Sequence, residues 1–233
     1  MSQICAVAFD AAGTLIRVNW EPGTFALKVA QQLGWDLPAS ASDDFRGRLG
    51  SKWSDYIELN RTRDADVLDQ FWFDLCRDWL GTHGLTDVDS YRECFWEGLY
   101  GPSQQVFGLY DDTLVILDQL RARSVPVGII SNWDYSLHRI VNMLGLRDYL
   151  QFDLASLEEG PEKPDPYLFN LAASRFGLNT AQILYVGDNP IDDLQGARGA
   201  GMHAVLVDRE RSNAERPYVT NLAHVLEVLD CIG

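Results

Sequence analysis

The stretch AVAFDAAGTLIRV, residues 6–18, decides how the rest of the chain is read. Ala6 to Phe9 carry no polar side chain, and the run stops at a carboxylate, Asp10. Ala11, Ala12, Gly13 and Thr14 follow at once. A strand buried on both faces reads as unbroken apolar sequence, and an acid, a glycine and a threonine at its end read as a loop delivering a functional group. The pattern recurs downstream. VPVGIIS (125–131) ends on the hydroxyl of Ser131, ILYVGD (183–188) on the carboxylate of Asp188, and HAVLVD (203–208) is a further strand. Helical segments separate these runs. DDTLVILDQLRAR (111–123) has Leu114, Leu117 and Leu120 at helical spacing, while YSLHRIVNMLG (135–145) and YLFNLAASRFG (167–177) each stop at a glycine. DDLQGARGAG (192–201) reads as a helix of small residues. Apolar strands alternating with helices predict an α/β fold whose parallel sheet is covered on both faces.

Residues 16–100 follow another pattern. In EPGTFALKVAQQLG (21–34), Pro22 suits a first helical turn and Gly34 a stop. SDDFRGRLGSKWSDYIELN, DVLDQFWFDLCRDWLG and DVDSYRECFWEGLYG are helical in period, and none leads into a strand. Trp20, Trp35, Trp53, Trp72, Trp79 and Trp96, six of the seven tryptophans, lie here. A small helical bundle needs large side chains to bury enough area, so these aromatics, with Phe71 and Phe73, read as core rather than as a ligand platform. The expected organisation is a sheet core made of residues 1–15 and 101–233, interrupted by an all-helical cap at 16–100.

Composition narrows the partners. The chain has 233 residues, 46% of them hydrophobic, and 34 acids against 19 bases give a formal net charge of −15. Such a surface repels phosphate backbones and anionic lipid, which argues against nucleic acid and membrane partners. No stretch approaches the roughly 20 apolar residues of a membrane helix. The start MSQICAVAFD lacks the basic region of a signal peptide. Cys5, Cys76, Cys94 and Cys231 are widely spaced without a CxxC pair, as expected of reduced thiols in a cytoplasmic protein.

Ligands of an open parallel sheet sit beyond the carboxyl ends of its strands. Asp10, Ser131 and Asp188 are therefore expected to converge, although far apart in sequence. Lys163, in EEGPEKPDP and one of three lysines with Lys28 and Lys52, is a candidate to hold an anionic substrate beside the carboxylates. FDAAGTL, IISN, EKPDP and VGDNPIDD, in this order, resemble the four signature motifs of the haloacid dehalogenase-like (HAD) hydrolase superfamily, in particular members with a helical cap inserted after the first strand. The resemblance implies a three-layer Rossmann-like core, a small phosphorylated substrate and an aspartyl-phosphate mechanism. Asp10 would be the nucleophile. Gly13 and Thr14 would form the tight turn and bind the phosphoryl group, Ser131 and Asn132 would donate hydrogen bonds to it, and Lys163 would neutralise charge on both partners. Three acids in six residues, Asp188, Asp192 and Asp193, repel one another unless a cation intervenes, and oxygen ligands suit Mg²⁺. By resemblance Asp10, Asp188 and the main-chain carbonyl of Ala12 would bind the metal, with Asp193 acting directly or through water and Asp192 a surface acid. A haloacid dehalogenase proper needs no metal and lacks this cluster.

Position 12 departs from the family pattern. Most family phosphatases carry there a second Asp that protonates the leaving group, a contribution of about 10² to 10⁴ in rate. With Ala12 four readings stand: a slow phosphatase or one restricted to good leaving groups; another acid, from the cap or Asp134; a phosphonate hydrolase using a cap lysine, Lys28 or Lys52; or a phosphate-binding protein without catalysis. Arg46, Arg48, Arg61 and Arg63 read as a solvated helix face, and Arg17 as a better-placed cation. His83, His138, His203 and His224 lack metal-ligand spacing and read as surface or structural residues.

Overall fold

The computed structural model describes residues 3–211 and 217–232, so the extreme ends of the expected core segments and residues 212–216 lie outside the described residues. The chain divides into two units, residues 1–17 with 108–233, and residues 18–107. The boundaries fall within two short strands, β2 (Ile16–Val18) and β3 (Phe107–Leu109), which pair with each other. The sequence places them at 15/16 and 100/101, because three-residue strands leave no periodic signal.

The first unit is an α/β sheet unit. Its strands are β1 (Ala6–Phe9), β4 (Val127–Ser131), β5 (Phe152–Ala155), β6 (Ile183–Gly187), β7 (His203–Val207) and β8 (Tyr218–Val219). They form one sheet in the order β5-β4-β1-β6-β7-β8, with every pairing parallel. The helices are α6 (Thr113–Ala122), α7 (Ser136–Met143), α8 (Ser156–Glu159), α9 (Tyr167–Phe176), α10 (Gly196–Gly199) and α11 (His224–Ile232). The chain builds outward from β1 through β4 to β5, then returns to the other side of β1 with β6. β1 is therefore the topological switch point, where open sheets of this kind bind ligands. Ala6, Ala8, Ile130, Leu168, Phe169, Ala172, Ile183 and Tyr185 pack together in one buried cluster of the sheet unit. Gly128 makes room for a neighbouring ring, since a Cβ there would lie 2.5 Å from Phe152.

Register aligns the strand ends. Phe9 lies opposite Ile129 on one side and Val186 on the other. Asp10, Ser131 and Asp188 consequently emerge at the carboxyl edge of three adjacent strands. Two strands carry too little apolar signal to be read from sequence. β8 has two residues, and β5 has the buried acid Asp153 in the middle of FDLA. DDLQGARGAG forms less regular structure than expected: a π-helix spans Pro190–Gln195 before α10 begins, an irregularity often found at functional sites.

The second unit is helical: α1 (Pro22–Gln32), α2 (Ser40–Ser51), α3 (Trp53–Asn60), α4 (Ala65–Thr82) and α5 (Val88–Tyr100). The stretch from 42 to 60 breaks at Lys52 into α2 and α3. Trp79 is fully buried, and its indole nitrogen donates to the Ala41 carbonyl at 3.0 Å. Tyr91 donates to the Ala26 carbonyl at 2.9 Å. Trp20, Phe25, Trp72 and Phe95 form a continuous set of ring contacts. Of the aromatics expected as core, Trp79 is buried, Trp20, Trp35, Phe71, Trp72, Phe73 and Trp96 are half-buried, and Trp53 is exposed. Among the described residues, no helix is long and apolar enough to cross a membrane.

Candidate active site

The site lies wholly within the sheet unit, and Asp10 is its centre. Asp10 is buried at the end of β1, where its amide donates to the Val186 carbonyl at 2.8 Å. Two donors meet on one of its oxygens: Ser131 Oγ and Lys163 Nζ each lie 2.8 Å from Asp10 Oδ1. Lys163 Nζ also donates to Asp193 Oδ1 at 2.6 Å and to the Tyr185 hydroxyl at 2.8 Å. The Lys163 side chain is 2% exposed, so these are charge-assisted bonds in a dry setting. Tyr185 divides its proton between Asp193 Oδ1 at 2.9 Å and the Ile130 carbonyl at 3.0 Å.

Asp193 organises the loop after β6. Its Oδ2 accepts from the amides of Asp188 at 3.0 Å and Asn189 at 2.9 Å. Four donors face this one carboxylate, about as many as it has lone-pair sites. Gly187 permits the approach, because a Cβ there would lie 2.3 Å from the Asp193 carboxyl. Gly13 is required twice over. Its φ of +76° suits glycine, and a Cβ would stand 2.3 Å from Asp188 Oδ2. Thr14 is buried with its hydroxyl 3.4 Å from Asp188 Oδ1.

Asp10, Asp188 and Asp193 each offer an oxygen within 4.8 Å of the others, and Lys163 is the one ammonium among them. Burial raises the Asp10 pKa above the usual carboxylate range, and Asp193 adds to this, while Lys163 and Ser131 pull it back. Asp188 sits at the exposed rim, yet the protein crowding it, then Asp10 and Asp193, push it up to about 6. Burial works against the Lys163 ammonium, but Asp10 and Asp193 outweigh it and keep the lysine charged. The surplus of negative charge, held by oxygen donors around a cradle that only glycine leaves open, fits a hard divalent cation such as Mg²⁺.

The other expected residues divide. Asn132 is expected to donate to a phosphoryl oxygen. In the structure its side chain clamps the backbone of Lys163: Oδ1 accepts from the Lys163 amide at 2.8 Å and Nδ2 donates to the Lys163 carbonyl at 2.9 Å. Ala12 lies in the loop after Asp10, bridged to Ile16. Asp134 accepts from the Ser136 amide at 2.8 Å, and Asp192 from Asn189 Nδ2 at 3.0 Å. Arg17 donates to the Leu109 carbonyl at 2.7 Å. In the helical unit Arg46, Arg48 and Arg61 pair with acids of their own surface. Lys52 pairs with Asp78 at 3.1 Å, and exposed Lys28 lines a cleft of about 380 Å³. Two site residues escaped the sequence reading. Tyr185 looks like one more core residue of an apolar strand. Arg209 braces the loop after Asp10, with Nη2 2.9 Å from the Thr14 carbonyl and Nη1 2.6 Å from Asp112, and nothing in its local sequence marks it.

Residues 4–201 match the family model described as haloacid dehalogenase-like hydrolase. The chain belongs to that family. A human HAD relative, haloacid dehalogenase-like hydrolase domain-containing protein 3, is 27% identical over 99% of this chain and 95% of its own length. A phosphoserine phosphatase of Thermus thermophilus is 37% identical over 44% of this chain and 42% of its own. Among solved structures, a 2-haloacid dehalogenase from Pseudomonas syringae superposes with a TM-score of 0.67 at 26% identity, covering 99% of this chain and all of that one. This HAD protein is accordingly a hydrolase with a Rossmann-like core, and its relatives include proteins named as phosphatases.

Proposed function

We propose that the chain is a Mg²⁺-dependent phosphatase that acts on a small phosphorylated metabolite through an aspartyl-phosphate on Asp10. The observation that carries this reading is the convergence of Ser131 and Lys163 on Asp10 Oδ1, which leaves Oδ2 as the oxygen bearing neither. Oδ2 attacks phosphorus, the bond to the leaving oxygen breaks, and water then cleaves the acyl phosphate and regenerates the carboxylate. Lys163 offsets the charge of both the nucleophile and the phosphoryl group, and Ser131 offers its hydroxyl to a phosphoryl oxygen. Asn132 serves by holding Lys163 in place. Asp10, Asp188 and the Ala12 carbonyl would hold Mg²⁺, with Asp193 supporting the loop. When bound, the metal supplies positive charge that offsets phosphoryl and carboxylate repulsion.

Ala12 provides no proton for the leaving group, and Asp134 and Asp192 already accept hydrogen bonds within their own turns. The leaving oxygen therefore departs largely unassisted, which favours aryl and acyl phosphates over alkyl esters. The name of the Thermus relative supports the phosphatase class. The acid cluster around Asp188 argues against a metal-free dehalogenase.

Turnover of p-nitrophenyl phosphate, acetyl phosphate and glycerol phosphate, with Mg²⁺ or with chelator, tests the proposal. The expected result is Mg²⁺-dependent hydrolysis of the first two, reduced at least ~10⁴-fold in Asp10→Asn, as when a nucleophile is removed. Undiminished turnover in a folded Asp10→Asn variant would overturn the assignment.

A further inference from the structure

Two arms of the sheet unit bring groups to Asp10. One runs from Ser131 through the Asn132–Tyr135 turn into α7. The other runs from β5 through α8 and a short loop to Lys163. Three ties join them. Innermost is the Asn132 clamp on the Lys163 backbone. Next, the Trp133 carbonyl accepts from the Leu157 amide at 3.0 Å, with Ser156 Oγ at 3.4 Å. Outermost is His138 on α7, with Nδ1 2.7 Å from Asp153 Oδ2 and Nε2 2.8 Å from Glu158 Oε1. Both carboxylate side chains are 4% exposed. An ionised carboxylate only accepts, so both ring nitrogens donate and the ring is an imidazolium.

The groups facing His138 are Asp153 from β5, Glu158 from α8 and the Tyr135 ring, 4.9 Å away, from the turn before α7. Arg147 engages Asp153 in a fork, at 2.6 and 2.8 Å, which leaves His138 as the cation on Glu158. α8 has four residues, far too few to hold a helix by itself. Without the imidazolium, Glu158 would be a buried carboxylate without a counter-charge, and its escape to water would unwind α8 next to the loop that carries Lys163.

We propose that His138 is a positioning residue for Lys163: held as a cation between Asp153 and Glu158, it locks the helix behind Ser131 and Asn132 to the segment bearing the lysine, and so keeps the ammonium on Asp10. The consequence for catalysis rests on the phosphatase reading; the lock itself does not. Burial lowers the His138 pKa, but Asp153 and Glu158 more than reverse this and bring it up to about 9. The lock is closed at neutral pH and opens as pH rises through that value.

The chain has three lysines, which makes the test direct. Lys163 is buried, whereas Lys28 is exposed and Lys52 38% exposed, so the latter two are internal references. Brief acetylation of the whole protein with acetic anhydride at pH 7.5, followed by peptide mapping, reads Lys163 protection. In His138→Gln, Lys163 labelling is expected to rise about tenfold with Lys28 and Lys52 unchanged, and kcat on p-nitrophenyl phosphate to fall about tenfold or more with KM within about twofold. His138→Gln with Glu158→Gln removes the uncompensated carboxylate and should recover much of the protection. In the wild type, labelling of Lys163 relative to Lys28 should rise severalfold between about pH 8 and 9.5, a range below the ordinary lysine value of about 10.4, where titration of the two amines alone leaves the ratio nearly constant. Unchanged protection in folded His138→Gln, or, if that variant does not fold, a wild-type ratio that stays flat or falls between about pH 8 and 9.5, overturns the proposal. Absence of turnover on every ester would reject the phosphatase reading and leave the labelling to decide on the lock.

Discussion

The sheet unit and the helical unit bury different things. The sheet unit buries Asp10, Thr14, Ser131, Asp153, Glu158, Lys163 and Asp193, and gives their charged or hydroxyl groups partners. The helical unit buries mainly aromatic and aliphatic side chains, with Ser42 and Asn60 its buried polar exceptions. Its salt bridges are on the surface, where such pairs contribute little to stability. Holding like charges together inside a fold costs stability, and the sheet unit bears that cost at the place where a charged ligand could offset it. The helical unit spends its interior on packing. Substitutions should therefore fail in opposite ways in the two units.

Asp188 carries the first test. Its carboxyl is raised to about 6 in the folded chain, above the ordinary value of about 3.9. A raised acid binds its proton more tightly when folded, so stability is lost as pH climbs from the ordinary value through about 6 and is at its lowest above that. Asp188→Asn should accordingly raise the melting temperature of the metal-free protein at pH 7.5. The same change should remove Mg²⁺ binding in a calorimetric titration and cut turnover by more than ~10²-fold, beyond the loss usual for residues that only orient a ligand. Wild-type Mg²⁺ affinity in the variant would refute the metal assignment.

Trp79→Ala is the mirror experiment. It empties the centre of the helical unit and should cost about 3–5 kcal/mol in a denaturant titration. Mg²⁺ affinity should stay as in the wild type; a matching fall would show that the two units do not divide stability and charge as described.

Ala12→Asp has the smallest expected effect. A carboxylate near Asp10 should speed hydrolysis of alkyl phosphates more than of aryl phosphates. The ceiling is the general-acid contribution of about 10²–10⁴, and a grafted group should give about 10-fold. The added charge also raises neighbouring carboxyl pKa values, which blunts the gain. A folded, Mg²⁺-binding variant with no gain on any alkyl phosphate would mean that position 12 shapes the substrate pocket instead.

Legibility also differed between the units. β1, β4, β6 and β7 have largely apolar interiors and stand out as strands, and Asp10, Ser131 and Asp188 at the ends of the first three mark the site. β5 did not stand out, because Asp153 interrupts it and its partners, His138 and Arg147, come from other elements. Tyr185 was hidden for the converse reason: a tyrosine in an apolar strand looks like packing until its hydroxyl is seen on Lys163 and Asp193. Asn132 is prominent in sequence, but its amide turns to the backbone of a residue 31 positions away, a pairing that no local spacing encodes. In the helical unit periodicity revealed helices, while the break at Lys52 and the placement of each side chain depend on packing between helices.

The contacts of Lys163 bear on which anions the site can accept. An ammonium has three protons, and here Asp10, Asp193 and Tyr185 take one each. No seat stands vacant, so an arriving anion gains this lysine only by exchange, and the neutral Tyr185 is the contact that costs least to give up. Chloride and other weak acceptors are poor competitors for a proton already shared with carboxylates. A phosphoryl group, with several strongly accepting oxygens, is a good one. The saturated lysine therefore sorts anions by acceptor strength before any contact with the remainder of the molecule can sort them by shape.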